Sequence, residues 1–195
     1  MGALTEVVAY LVNTLLSIYL MVVIMRFLLQ VARADFYNPI SQFVVKATNP
    51  LVKPLRRFIP GLGGLDLATL VLALVIQFAA INLLYLILAH SIPSPISALI
   101  WSLIGIAATV VKIYFFSILA AIIFSWIAPG SQHPALGLLY QLNEPVMAPF
   151  RKVLPPLGGL DLSPILVFIA INVINILLAH AAIATHLPRN LLMVI

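Results

Sequence analysis

Pro50-Leu51-Val52-Lys53-Pro54-Leu55-Arg56-Arg57-Phe58-Ile59-Pro60-Gly61-Leu62-Gly63-Gly64-Leu65-Asp66-Leu67 returns without a gap as the stretch from Pro145 to Leu162. Three prolines, one arginine (Arg56 and Arg151), a leucine followed by two glycines, and Leu-Asp-Leu keep their places in both copies. Each copy is preceded and followed by long apolar sequence. The flanking runs cover about Ala3 to Val31 and Leu67 to Ala89 around the first copy, and about Ile96 to Ile127 and Leu162 to Ala184 around the second. An apolar run of about 20 residues spans the ~30 Å hydrocarbon core as a helix. The chain therefore reads as an all-α membrane protein with four transmembrane helices in two repeats, residues 1–95 and 96–195. Each repeat is a helix, a polar amphipathic connection and a second helix.

Composition agrees. Hydrophobic residues make up 64% of the 195 residues and charged residues 8%, against roughly 45 to 50% and about 25% in soluble domains. No Lys or Arg precedes Arg26, and the first apolar run is too long for a signal-peptide core, so it is expected to remain as an anchor. Cysteine is absent, which excludes disulfides, thiolate metal sites and cysteine nucleophiles. The net charge of +5 comes from residues bordering the spans. Anionic lipid headgroups are the partner this arrangement fits. Nucleic-acid binding is excluded as a primary role, because no basic stripe is interleaved with aromatic residues.

Orientation follows the positive-inside rule. The two long connections hold Arg33, Lys46, Lys53, Arg56, Arg57, Arg151 and Lys152, and the other side holds Arg189. Both long loops are thus expected in the cytoplasm and both termini outside. An even number of spans separates the copies, giving two repeats of the same orientation.

The cassette has a mechanical reading. Pro54 lacks the donor a continuous helix requires, so a bend or break is expected near it. Arg56, Arg57, Arg151 and Lys152 fall at the level of lipid phosphates, a site for lipid or partner contact. Gly63-Gly64 and Gly158-Gly159 suit sharp turns into the bilayer. Asp66 and Asp161 are placed to cap the following spans. In the second copy Ser163-Pro164 is itself a cap and first-position pair, which leaves Asp161 available to Arg151. Upstream, Ile40, Phe43, Val44 and Ala47 recur at helical spacing with Ser41, Gln42 and Lys46 on other faces. This predicts a surface-lying amphipathic helix beginning at Pro39. Arg26, near the end of the first run, is expected to snorkel to the interface.

Polar residues within spans are costly. Ser17, Gln77, Lys112, Asn172 and Asn175 are expected to form an internal polar site, with Lys112 facing the bundle interior. The plain alternative is that they hydrogen-bond the helices together. Ala98, Ser102, Gly105 and Thr109 precede Lys112 as a small-residue packing face. A fixed lysine charge argues against a simple potassium pore. His90 and His180 have no companion ligands, so no metal or cofactor is expected. No nucleophile elbow, phosphate loop or carboxylate pair supports an enzyme.

Asn49-Pro50-Leu51-Val52-Lys53-Pro54-Leu55-Arg56-Arg57 and Pro155-Pro156-Leu157-Gly158-Gly159-Leu160-Asp161-Leu162-Ser163-Pro164 resemble the YggT (YlmG) family of small bacterial and plastid membrane proteins. Ile24-Met25-Arg26-Phe27-Leu28-Leu29 and Ile123-Phe124-Ser125-Trp126 resemble the arginine and Ser-Trp parts of the family's first helix. Gln30-Val31 replaces Ser-Trp in the first copy, and Ala121 replaces the arginine in the second. The resemblance implies a multi-pass protein of the bacterial inner membrane, tied to osmotic stress tolerance and ion (potassium) homeostasis as a transporter or transport modulator. The alternative it implies is a scaffold recruiting other membrane proteins for cell division or cytochrome cofactor assembly. A homo-oligomer is compatible with either.

Overall fold

Apolar side chains on every face, with helix-favouring Leu, Ala and Met among them, make the longest runs continuous helices. In the computed structural model, which describes residues 2–128, 130–154 and 161–188, α1 is Ala3–Val31, α3 Leu67–Ala89, α4 Pro95–Ile127 and α6 Ser163–Ala184. All four are long and apolar enough to cross a membrane. Two further helices, α2 (Pro39–Leu55) and α5 (Pro134–Val153), occupy the long connections. The expected all-helical architecture of four spans from two repeats is the one observed.

The spans pack α1 on α3, α3 on α4 and α4 on α6, with α1 also touching α4. Helix α2 lies against α1 and α3, and α5 lies against α4 and α6. Each repeat therefore holds its connection helix at one end of its own two spans. The small-residue face of α4 is buried at Ala98, Ser102 and Gly105, allowing close approach of α3. Gln77 of α3 fills the space over Gly105, where a Cβ would lie 2.1 Å from its Nε2.

Helices α2 and α5 begin alike, with Asn38 and His133 capping and Pro39 and Pro134 at the first helical position. Proline there loses no intrahelical bond. The bend or break expected near Pro54 appears as the end of the helix. Helix α2 runs through Pro50 and ends one residue beyond Pro54, while α5 continues past Pro149 to Val153.

The packing divides the predicted apolar face of α2 between the protein and the outer surface. Ser41, Val44, Thr48 and Val52 face the protein and are buried, whereas Ile40, Phe43 and Leu51 are exposed. Two surfaces compete for this helix, the bundle end and the lipid. The stripe on the bundle side carries two hydroxyls, of which Thr48 finds partners there in Arg26 and Val44 O.

Helix α1 ends in a Schellman motif. Ala34 N donates to Leu29 O and Arg33 N to Gln30 O, and Arg33 sits at φ +51°, a position usually given to glycine.

Candidate functional site

The first cassette is assembled around a buried carboxylate. Asp66 precedes α3 but makes no side-chain bond to the helix amides, which corrects its predicted role as an amide cap. Arg56 Nε and Nη2 donate to Asp66 Oδ2 at 3.1 and 2.5 Å, and Thr69 Oγ1 donates to it at 2.6 Å. Arg26 Nε stands 3.9 Å away. With these donors at hand, the carboxylate binds side chains in preference to the orphan amides.

Arg26 does not snorkel. It is 7% exposed, and its Nη1 donates to Thr48 Oγ1 at 2.7 Å and Asn49 Oδ1 at 3.0 Å. The guanidinium is thus drawn under α2, because the polar stripe of that helix supplies acceptors that the headgroup region would otherwise provide. Helices α1, α2 and α3 are joined through this arginine and its carboxylate. Burial opposes ionisation of Asp66, but the hydrogen bonds from Arg56 and Thr69 outweigh it and hold the carboxyl below the usual carboxylate range.

Between the anchor and the span, Gly63 and Gly64 take φ +59° and +82°. Leu62 and Leu65 exchange both backbone bonds across them, at 3.1 and 2.9 Å. Two successive positive φ values mark the tight hairpin turn that only small residues form readily. Gln30 Nε2 donates to Gly64 O at 2.7 Å, tying the turn to the end of α1.

The second cassette is built differently. Arg151 Nη1 donates to Glu144 Oε2 at 2.6 Å and its Nε to Asp161 Oδ2 at 3.0 Å. Arg151 and Asp161 are 37% and 36% exposed, where Asp66 is 5% exposed. Bonding to Glu144 raises the guanidinium's pKa above its ordinary value, against burial, with Asp161 adding to the effect. Asp161 Oδ1 accepts from Ser163 N at 2.9 Å. Burial opposes ionisation of Asp161, but hydrogen bonds from the side chain and backbone of Ser163, followed by Arg151, lower its carboxyl below the usual range. Ser163 is not the cap. It is the first residue of α6, and its Oγ donates to Leu154 O at 3.2 Å. Where the first repeat joins α1 to α2 through Arg26 and Thr48, the second joins α4 to α5 through Ser117 Oγ donating to Asn143 Oδ1 at 2.5 Å. The two connections also meet, Asn38 Nδ2 donating to Pro134 O at 2.7 Å and Asp35 N to Gln141 Oε1 at 2.8 Å.

Of the other cassette residues, Arg57 and Lys152 are exposed. Gly158 and Gly159 lie outside the described residues. The predicted intramembrane cluster is not assembled. Gln77 is buried against Gly105, and Ser17 donates to Asn13 Oδ1 at 3.2 Å within α1. Lys112, Asn172 and Asn175 are exposed on the outer faces of α4 and α6. The interior is filled instead by the small-residue face and apolar side chains, which leave Lys112 no room to turn inward. No group of three metal-ligating side chains occurs among the described residues.

Sequence reasoning passed over Arg26, Thr48, Asn49, Thr69 and Glu144 as site residues. The signal for Glu144 was available in the repeat itself, since it occupies the place of Asn49 in the second copy, within reach of the shared arginine.

The CCB3/YggT family model matches the chain twice, over residues 5–87 and 100–182. An uncharacterized protein of Pseudomonas aeruginosa is 47% identical over 193 residues, covering 98% of both chains. A Vibrio alginolyticus protein, described as uncharacterized and in the proC 3' region, is 42% identical over 87% of this chain and 92% of its own. The uncharacterized protein YggT of Escherichia coli K12 is 36% identical over 90% of this chain and 91% of its own. No solved structure gives a significant match. With the cassette falling at the same place in both matched segments, the chain belongs to the CCB3/YggT family as a tandem two-copy member.

Proposed function

We propose that this protein is a non-enzymatic membrane scaffold. Its four spans hold a rigid basic platform, α2 and α5 with their cassettes, against the cytoplasmic surface of a bacterial inner membrane. Any contribution to osmotic tolerance or potassium homeostasis then passes through other membrane proteins recruited to that platform, not through a path of its own. The observation that carries this reading is the contrast between the two candidate sites. The basic cassettes are built, with Arg26, Arg56 and Asp66 tying α2 to two spans. The intramembrane residues Lys112, Asn172 and Asn175 are turned outward, where they line no common passage through the bundle.

Growth under osmotic stress of cells relying on variant chains tests the reading. Joint replacement of Lys112, Asn172 and Asn175 by Ala should leave tolerance intact, and joint replacement of Lys53, Arg57 and Lys152 by Gln should abolish it at equal protein levels. The reverse pattern, together with potassium flux in proteoliposomes containing this protein alone, overturns the scaffold in favour of transport.

A further inference from the structure

A cleft of about 550 Å³ opens between the end of α1 and the inner side of α2. Among the described residues four cationic side chains line it, Arg26, Arg33, Lys53 and Arg56, and no Asp or Glu does. Asp66 offsets one of these charges from behind, through Arg56 and Arg26. Arg33 and Lys53 are exposed, and among the described residues no ion pair involves them. Ser41 also lines the cleft. It is 4% exposed, and its hydroxyl has no hydrogen-bond partner within the described protein. An alcohol hydroxyl left without an acceptor is costly when buried, and beside excess positive charge it is suited to donate to an anion.

The second repeat supplies an internal comparison. At the places of Arg26, Arg33, Ser41 and Lys53 it has Ala121, Ala128, Leu136 and Ala148. The place of Asn49, at the cleft wall, holds Glu144, which occupies the shared arginine. Three of the four cations and the hydroxyl are thus lost together in one copy and kept together in the other, and the one retained cation, Arg151, is paired with Glu144. Duplication of a structural anchor alone gives no reason for such a division.

From this we infer that the first repeat contains a binding site for the phosphate group of an anionic lipid headgroup, and that the second repeat does not. A lipid source fits the surroundings. Phe36, on the cleft, is exposed, and the exposed stripe of Ile40, Phe43 and Leu51 suits the outer face of α2 to apolar surroundings. The inference rests on the platform reading only for the placement of this face at headgroup level.

The test uses the full chain in a zwitterionic detergent, following the thermal unfolding midpoint against short-chain phosphatidylglycerol, short-chain phosphatidylcholine and inorganic phosphate. Phosphatidylglycerol should raise the midpoint saturably, while the other two should not. Each cation near an anionic headgroup contributes roughly fivefold in affinity. Replacing Arg33→Gln and Lys53→Gln together should therefore weaken the apparent affinity about 30-fold. The unfolding midpoint without lipid should stay in place, since both side chains are exposed. Replacing Arg57→Gln and Lys152→Gln, an equal loss of charge outside the cleft, should leave the affinity within about twofold. Equal loss in both double variants overturns the site while leaving a basic platform standing. An equal response to phosphatidylcholine also overturns it, and an equal response to inorganic phosphate overturns the lipid assignment.

Discussion

Replacement of Arg26 by Met keeps the apolar stem that threads under α2 and removes the guanidinium. Two close hydrogen bonds are lost, to Thr48 and Asn49, and bonds to a charged group are worth roughly 1.5 to 3 kcal/mol each. Breaking a buried ion pair by removing one partner costs about 3 to 5 kcal/mol when the other charge is stranded. Here it is not stranded, because Asp66 keeps Arg56 and Thr69, and Thr48 still donates to Val44 O at 2.7 Å. The expected loss is therefore about 3 kcal/mol, near the lower end. Arg151→Met, at an exposed trio, should cost under about 1 kcal/mol. Arg56→Met should fall between them. The double variant R26M/R56M should lose more than the two single losses together, since only then is the Asp66 carboxylate left without a cation. Reversible unfolding in mixed micelles measures all four. A loss for Arg26→Met no larger than that for Arg151→Met would refute the claim that burial separates the two cassettes.

Arg33→Gly should stabilise the fold by about 1 kcal/mol by relieving a left-handed backbone, yet weaken phosphatidylglycerol binding roughly fivefold. Paired unfolding and lipid titrations check this, and parallel gains in both would contradict it. Gly105→Ala pushes a methyl into Gln77 and should cost about 1 to 3 kcal/mol. Most of that should return when Gln77→Ala is added, a coupling a double-mutant cycle reads directly. For Asp66 the folded pKa lies below the unfolded one. Its contribution is therefore complete above the ordinary carboxylate range, about pH 4, and is lost as pH falls through the depressed folded value. Asp66→Asn should lower stability at neutral pH and flatten the acid limb of the pH profile, both visible in the same unfolding series.

The spans were legible because length and apolar composition leave a helix no alternative in a bilayer. All four bounds read from the sequence agree closely with α1, α3, α4 and α6. Pro39 also announced the start of α2. The arrangement of the polar residues was less legible. Periodicity gives the angular position of a side chain on its own helix, whereas burial depends on which neighbour covers that face. Ser41 and Thr48 were indistinguishable from solvent-facing residues until the bundle end covered them, with Arg26 of α1 bonding to Thr48. Lys112 misled for the same reason. Its depth in α4 was readable, but the direction of the nearest packed helix was not, and Gly105 with Gln77 had already closed the interior. Asp66 and Asp161 share one motif and differ in burial, because their environments are set by positions outside the cassette, Arg26 against Ala121 and Asn49 against Glu144.

In each repeat the first span is longer than the second, with 29 residues in α1 against 23 in α3 and 33 in α4 against 22 in α6. At ~1.5 Å per residue these are lengths of about 44, 35, 50 and 33 Å. No single hydrocarbon thickness matches all four, and the excess must be taken up by tilt or by emergence from the bilayer. Each connection helix packs on the longer span of its repeat, α2 on α1 and α5 on α4, as well as on the shorter one. Membrane thinning, as occurs when a swollen cell stretches its envelope, adds to the excess length of all four spans, an excess that is already greatest for α1 and α4. The two spans with most excess length to absorb are the ones bonded to the connection helices, through Arg26 to Thr48 and through Ser117 to Asn143.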